Sequence, residues 1–134
     1  MTEECFSVSL RIWHPTLSTD DVVKQICMKP EVAHSVGEQR TSPSGEILEG
    51  LYRRTYCCFE LTRKAAGVFT DALPSLLQTI KKHKNFLETL VLDGGRSELF
   101  VGVFAEGATG FTLEPPVMME LSELSLELSV DIYN

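Results

Sequence analysis

The chain has 134 residues, of which 43% are hydrophobic and 23% charged, and these values are ordinary for one globular domain over 1–134. A formal net charge of −7 argues against nucleic acid or an anionic membrane as the main partner. No apolar run is long enough to span a membrane and the N-terminus is acidic where a secretory signal is basic, so we expect a cytoplasmic protein.

Strand and helix patterns alternate in the first half of the chain. Apolar and polar residues alternate over 6–12, which predicts a strand with one buried face. Ser18 caps a predicted helix, and Pro30 ends it. Residues 29–52 contain five prolines and glycines without sustained periodicity, which predicts a long loop with room for a short hairpin. A second half-buried strand is predicted over 55–61.

The second half of the chain adds elements of both kinds. Its periodicity predicts helices over 70–80, 85–90 and 115–124, and strands over 98–105, 111–113 and 126–133. The last strand alternates most cleanly, and the residues that it is predicted to bury are Leu126, Leu128, Val130 and Ile132. The whole order predicts an α+β fold, with a mixed, mainly antiparallel sheet of four to five strands and three or four helices packed on one face.

Several segments of the sequence carry a family resemblance. They are 9–12, 26–30, 73–77 and the ending Asp131-Ile132-Tyr133. Over nearly its whole length the chain resembles an uncharacterised bacterial family of single-domain proteins, a domain of unknown function. It departs from that family at Cys27, where a glycine is usual, and at Tyr56, where a tryptophan is common. The resemblance implies no activity, cofactor or catalytic residue.

No arrangement of residues predicts catalysis, a metal site or a cofactor. The sequence has no glycine-rich phosphate loop, and no two of its four cysteines have the spacing of a zinc knuckle. We expect Cys5, Cys27 and Cys57 to be small buried hydrophobes, and His14 to lie on the surface at a strand end. We therefore predict no metal, no cofactor and no catalytic residue, with an enzyme that uses Cys58 or a histidine as an alternative.

Charge is distributed unevenly along the chain. All twelve Lys and Arg lie at or before Arg96, so the C-terminal third is purely acidic. This third is either a solvated face or a docking surface for a basic protein. The basic run over 81–84 follows a predicted helix, where it complements the helix dipole, and it does not by itself predict nucleic-acid binding.

The face of the predicted sheet that the helices leave uncovered, which we call the open sheet face, is the most informative feature. Aromatic and polar residues alternate there, and the candidate binding residues are Arg11, Trp13, Tyr56, Phe100, Phe104 and Tyr133. Aromatic residues of this kind are enriched at protein interfaces. We therefore predict a non-enzymatic interaction module that binds either itself, as a homodimer, or another protein, which it could neutralise.

Two alternatives stay open for this face. The 29–52 loop could fold back over the aromatic residues, because exposed apolar patches on monomers are usually small. The protein could instead bind a small ligand in a pocket between the sheet and the same loop. A concave, partly polar pocket would favour the ligand, and a flat aromatic face would favour the protein partner.

Overall fold

One five-stranded sheet organises the protein in the computed structural model, which describes residues 4–134. The elements in chain order are β1 (Cys5–His14), α1 (Thr19–Ile26), β2 (Val32–His34), β3 (Gln39–Thr41), β4 (Ile47–Leu51), β5 (Thr55–Ala66), α2 (Phe69–Ile80), a short 3-10 helix (Lys81–His83), α3 (Lys84–Leu92), β6 (Arg96–Phe104), α4 (Pro115–Glu123) and β7 (Leu126–Tyr133). The strand order is β2-β5-β1-β6-β7, and β3 and β4 form a separate hairpin. All neighbours in the large sheet are antiparallel except β6 and β7, which run parallel. The predicted α+β class is confirmed.

The four α-helices and one face of the sheet share a hydrophobic core. The alternation over 6–12 turns every second side chain of β1 inward, and these residues are at most 4% exposed: Phe6, Val8, Leu10 and Ile12. They join the inward residues of β5 and β6 and the apolar stripes of the helices in one cluster. The helices therefore lie on one face, and the other face of the sheet is left to solvent.

The segment over 29–52 is more ordered than a loop. It contains the predicted hairpin, formed by β3 and β4, and also β2, which the sequence did not predict. β2 pairs antiparallel with Tyr56, Cys57 and Cys58 of β5 and becomes one edge of the large sheet. The strand predicted over 111–113 does not form; Phe111 instead packs edge-on against Phe69, with ring centroids 4.8 Å apart.

Cys27 is not the buried hydrophobe that we predicted. It caps the C-terminus of α1 in the left-handed conformation, with a φ of 59°, and its side chain is exposed. A residue in this conformation at a helix end brings its Cβ close to backbone atoms, which is why glycine is preferred there. Of the other two predicted cysteines, Cys57 is buried and Cys5 is half-buried.

The burial predicted for β7 is wrong at its end. Exposure rises along the strand from 7% at Leu126 to 48% at Ile132, with Leu128 and Val130 half-buried between them. β7 is an edge strand that follows α4 directly, so this helix covers the beginning of the strand and not its end. An alternating pattern indicates which face of the sheet a side chain lies on, but it does not indicate how far along the strand the helices cover that face.

This gradient leads to a prediction about two nearby residues of β7. We expect Ile132→Ala to lower the free energy of unfolding by less than about 1 kcal/mol, because little apolar area is lost. Ser129→Ala should cost more, about 1.5 kcal/mol, because the Ser129 hydroxyl donates to the buried carboxylate of Glu98 at 2.9 Å. Urea titration of both variants measures the difference, and a larger loss for Ile132→Ala would contradict the observed burial.

Candidate functional site

The open sheet face carries all six predicted binding residues, and no helix of the described chain packs on it. Arg11 and Trp13 project from β1, Tyr56 from β5, Phe100 and Phe104 from β6, and Tyr133 from β7. Tyr133 is exposed and the other five are half-buried, because side chains beside them on the same face cover part of their surface. The structure does not gather the six into one cluster; they fall into three groups along the strands.

The first group is an aromatic cluster where β1 ends. Trp13 and Tyr56 lie opposite each other on neighbouring strands, with ring centroids 5.2 Å apart. The ring of His34 is 5.6 Å from Tyr56 and stacks on Tyr52 at 3.5 Å, with only 9° between the two planes. The guanidinium of Arg96 lies 4.4 Å above the ring of Trp13, which is a cation–π contact. Burial lowers the pKa of His34, so the stacked imidazole is neutral near pH 7.

This cluster forms the walls of a shallow cleft of about 320 Å³, which we call the aromatic cleft. Its lining residues are Trp13, His34, Tyr52, Arg53, Arg54 and Tyr56. The cleft lies between the sheet and the 29–52 segment, where the small-ligand alternative placed a pocket. The same segment does not cover the rest of the face, because β3 and β4 are exposed along their whole length.

The second group is an ion cluster in the middle of the face. The side chain of Glu98 is 7% exposed, and its carboxylate lies 3.6 Å from the guanidinium of Arg11 and 3.6 Å from that of Arg96. Ser129 donates a hydrogen bond to it, and the Arg11 guanidinium also lies 3.7 Å above the ring of Phe100. Two cations and a hydroxyl thus compensate a buried negative charge, and together they hold the side chains of this group in place.

The third group is a pair of stacked rings at the other end of the strands. Phe104 and Tyr133 are opposite each other on β6 and β7, with centroids 5.1 Å apart and 21° between the planes. The ammonium of Lys64 lies 5.2 Å from the centroid of Phe104. Lys64 reaches this face because β5 bulges there: its φ is 43°, and its N–H donates to the hydroxyl of Ser7 at 2.9 Å.

Cys58 lies on the open sheet face, as predicted, but it is 7% exposed. It is opposite Arg11 in the register of β1 and β5 and next to Tyr56. Burial and the neighbouring thiol raise the pKa of Tyr56, and burial raises the pKa of Cys57 to about 11. Tyr56 and Cys57 therefore stay protonated at neutral pH, and the low exposure of Cys58 restricts access of a reagent to its sulfur.

His14 is not the surface histidine that we predicted. Its side chain is 2% exposed, and its Nδ1 accepts hydrogen bonds from the N–H groups of Thr16 at 3.1 Å and Leu17 at 3.0 Å. Burial lowers its pKa, and the two bonds agree with that direction because a protonated Nδ1 could not accept them. The imidazole thus organises the turn between β1 and α1, away from the open sheet face.

The described residues provide little for other kinds of chemistry. Among residues 4–134, no group of three or more His, Cys, Asp or Glu side chains is arranged to hold a metal ion. All four cysteines are free thiols. Within the same range, no helix is both long and apolar enough to cross a membrane.

Sequence reasoning missed several members of the open sheet face, which are His34, Tyr52, Lys64, Arg96 and Glu98. The first two come from a segment without periodicity, and Lys64 reaches the face only through a bulge. The run Tyr52-Arg53-Arg54, which joins an aromatic ring to two cations directly before a strand, is a signal that could have pointed to the aromatic cleft.

Comparisons with known proteins place the chain in a family. Neither the curated proteins nor the solved structures include a match to the chain. The family model that matches spans residues 3–134 and is described as a domain of unknown function. Because this match covers nearly the whole chain, the protein belongs to the DUF4279 family.

Proposed function

We propose that this domain is a non-enzymatic binding module and that a second copy of the chain docks on its open sheet face. The observation that carries the proposal is the composition of this face, on which cations lie against aromatic rings. The opposite face of the sheet packs against the helices in the hydrophobic core. Aromatic residues and arginine are the types enriched at protein interfaces, and a twofold pair is the commonest assembly of identical chains.

Charge at the two sides of the face supports a second copy as the partner. On the β5 side the exposed cations are Arg63, which lies beside the carboxylates of Glu31 and Glu60, and Lys64. On the β7 side the exposed anions are Glu127, which pairs with Arg96, and Asp131. A twofold axis parallel to the strands lays the β5 side of one copy against the β7 side of the other. The Lys64 of each copy then meets the Asp131 of the other, which satisfies the self-complementarity that a twofold interface requires.

Lys64 and Asp131 are the charges best placed for this contact. Arg63 already pairs with Glu60 at 2.6 Å, and Glu127 pairs with Arg96 at 2.9 Å. Lys64 and Asp131 form no ion pair within the described chain. Both lie at the end of the face that carries the stacked rings of the third group, so the twofold arrangement brings them to the same level of the strands.

The area of the face is sufficient for such an interface. Five strands spaced about 4.8 Å apart are roughly 24 Å wide, and the nine residues of β6 extend about 30 Å. The projected area is therefore roughly 700 Å², and side chains make the accessible area larger. A standard interface buries about 800 Å² per partner, and a face of this size can supply that area.

We expect Phe104→Glu to abolish self-association. Phe104 is central to the third group, and a carboxylate there would be buried beside a ring in the interface, a change that typically weakens binding by about thirtyfold or more. Light scattering should give twice the monomer mass for the unmodified protein at tens of micromolar and the monomer mass for the variant. Met119→Glu is the matched control, because Met119 is 62% exposed on α4, in the helix layer away from the open sheet face.

A charge exchange tests the orientation of the two copies. Lys64→Glu and Asp131→Lys should each weaken the dimer, whereas the double variant should restore it, because the two charges then meet again with opposite signs. A monomeric unmodified protein at tens of micromolar would contradict self-association. If the Phe104→Glu variant still has the mass of a dimer, the interface lies elsewhere on the molecule.

A further inference from the structure

The aromatic cleft has features that a protein interface does not need. Tyr56 adjoins both Trp13 and His34, with ring centroids 5.2 and 5.6 Å away, and a fourth ring, Tyr52, stacks directly on His34. The four rings line part of a space of about 320 Å³, which is at the small end of ligand pockets. A space of this size suits one planar ring system.

Two arginines at the cleft lack anionic partners. Arg53 is exposed and forms no hydrogen bond or ion pair with any residue in the described part of the chain. Arg54 donates one hydrogen bond, to the carbonyl of Gly94 at 3.0 Å, and its other guanidinium N–H groups have no partner among the residues that the structure describes. In contrast, Arg11, Arg63 and Arg96 all lie beside carboxylates.

The acidic net charge of the chain strengthens the inference that Arg53 and Arg54 bind an anionic ligand. The net charge of the protein is −7, so carboxylates are in excess, yet no carboxylate among residues 4–134 pairs with Arg53 or Arg54. Guanidinium groups bind carboxylates and phosphates through paired, charge-assisted hydrogen bonds. Aromatic walls with two free guanidinium groups therefore match a molecule that joins a flat ring to a compact anion.

We infer that the aromatic cleft binds a small planar aromatic molecule that carries a carboxylate or a phosphate group. The ring lies against Trp13 and Tyr56, and the anion meets Arg53 and Arg54 at the rim. The cleft lies on the open sheet face where β1 ends, whereas the proposed self-association depends on the third group at the other end of the strands. The large negative charge of the chain disfavours a nucleic-acid polymer, so a single small molecule is the fitting occupant.

The fluorescence of Trp13 gives a direct measurement, because it is the only tryptophan in the sequence. Benzoate and adenosine monophosphate are the two probes, one for each anion. Benzyl alcohol and adenosine keep the rings without the charge, whereas acetate and inorganic phosphate keep the charge without the ring. We expect saturable quenching by at least one charged aromatic probe, and binding about tenfold weaker or more for its neutral and its non-aromatic counterparts.

Matched variants connect the quenching to the cleft. Arg53→Gln removes one guanidinium from an exposed position. We expect it to lower the affinity for the charged probe about tenfold and to leave the affinity for adenosine or benzyl alcohol unchanged. Arg40→Gln is the control, because Arg40 is exposed on β3, outside the cleft lining, and bonds only the carbonyl of Glu49. Tyr52→Ala should lower the affinity for charged and for neutral aromatic probes by a similar factor.

Repeating the titration in the Phe104→Glu background keeps this inference independent of self-association. Binding that persists in the monomeric variant supports the cleft whatever the oligomeric state of the unmodified protein. Quenching by acetate or phosphate as strong as that by benzoate or adenosine monophosphate would overturn the role of the aromatic walls. Absence of saturation with both charged aromatic probes at millimolar concentration would overturn the inference itself.

Discussion

Phe59→Ala should lower the free energy of unfolding by about 3–5 kcal/mol. Phe59 is on β5, opposite Leu10 of β1, and its ring has no exposed surface. It is one of the largest fully buried side chains and belongs to the cluster that joins the sheet to the helices. Truncation removes the transfer free energy of the ring and leaves a cavity that the surrounding strands cannot close without losing register.

Phe100→Ala is the matched control for this prediction. It makes the same chemical change on β6, but on the open sheet face, where the ring is half-exposed and contacts the Arg11 guanidinium. We expect a loss of about 1 kcal/mol or less. Urea unfolding of both variants at low protein concentration gives the comparison. Equal losses would mean that the two faces of the sheet do not differ in burial as described.

The faces of the sheet were predictable because strand periodicity is local. Alternation in 6–12 and 55–61 assigns each side chain to one of two faces, and the structure confirms the buried set of β1. The same reasoning placed all six candidate binding residues on the open sheet face. A period of two can be recognised in a short stretch of sequence, so this part of the fold could be predicted without knowledge of tertiary contacts.

Features that depend on distant contacts were not predictable. The exposure of Ile132 depends on where α4 stops covering the sheet, and β2 exists because Val32–His34 meets β5, more than twenty residues later. The left-handed cap at Cys27 is a local feature, but the sequence does not reveal it, because glycine is the residue type that indicates such a helix end. Composition and spacing carry no information on these points.

The grouping of the site residues also required the structure. Periodicity places Trp13 and Phe104 on one face, but it does not show that they are at opposite ends of it. The three groups differ in their chemistry: a cleft with unpaired arginines, a compensated ion cluster and an exposed ring pair. The ion cluster lies between the other two, and its buried carboxylate fixes Arg11 and Arg96, each of which covers an aromatic ring. The face therefore has two chemically different ends, with an ion cluster between them that holds the intervening side chains in place.

Gly95→Ala should destabilise the protein by about 3 kcal/mol, at the upper end of what overpacking costs. A Cβ at this position would lie 2.7 Å from the Trp13 carbonyl oxygen, 2.8 Å from the Leu90 carbonyl oxygen and 2.7 Å from Leu90 Cδ2. Two of these atoms are backbone, so relief requires the end of β1 and the end of α3 to separate. Gly95 is buried, and its N–H donates to the Leu90 carbonyl at 2.9 Å, so the strain cannot be relieved by moving a surface side chain.

The same substitution links the packing of the core to the aromatic cleft. Displacing the Trp13 backbone moves one wall of the cleft, and Gly94, whose carbonyl accepts the hydrogen bond from Arg54, is the adjacent residue. We therefore expect Gly95→Ala to shift the emission of the sole tryptophan and to weaken any cleft ligand, in addition to lowering the urea midpoint. Gly110→Ala is the control: a Cβ there meets nothing within 4 Å, its φ is not in the positive range, and a change near zero is expected. A Gly95→Ala variant as stable as Gly110→Ala would show that α3 and β1 do not approach as closely as described.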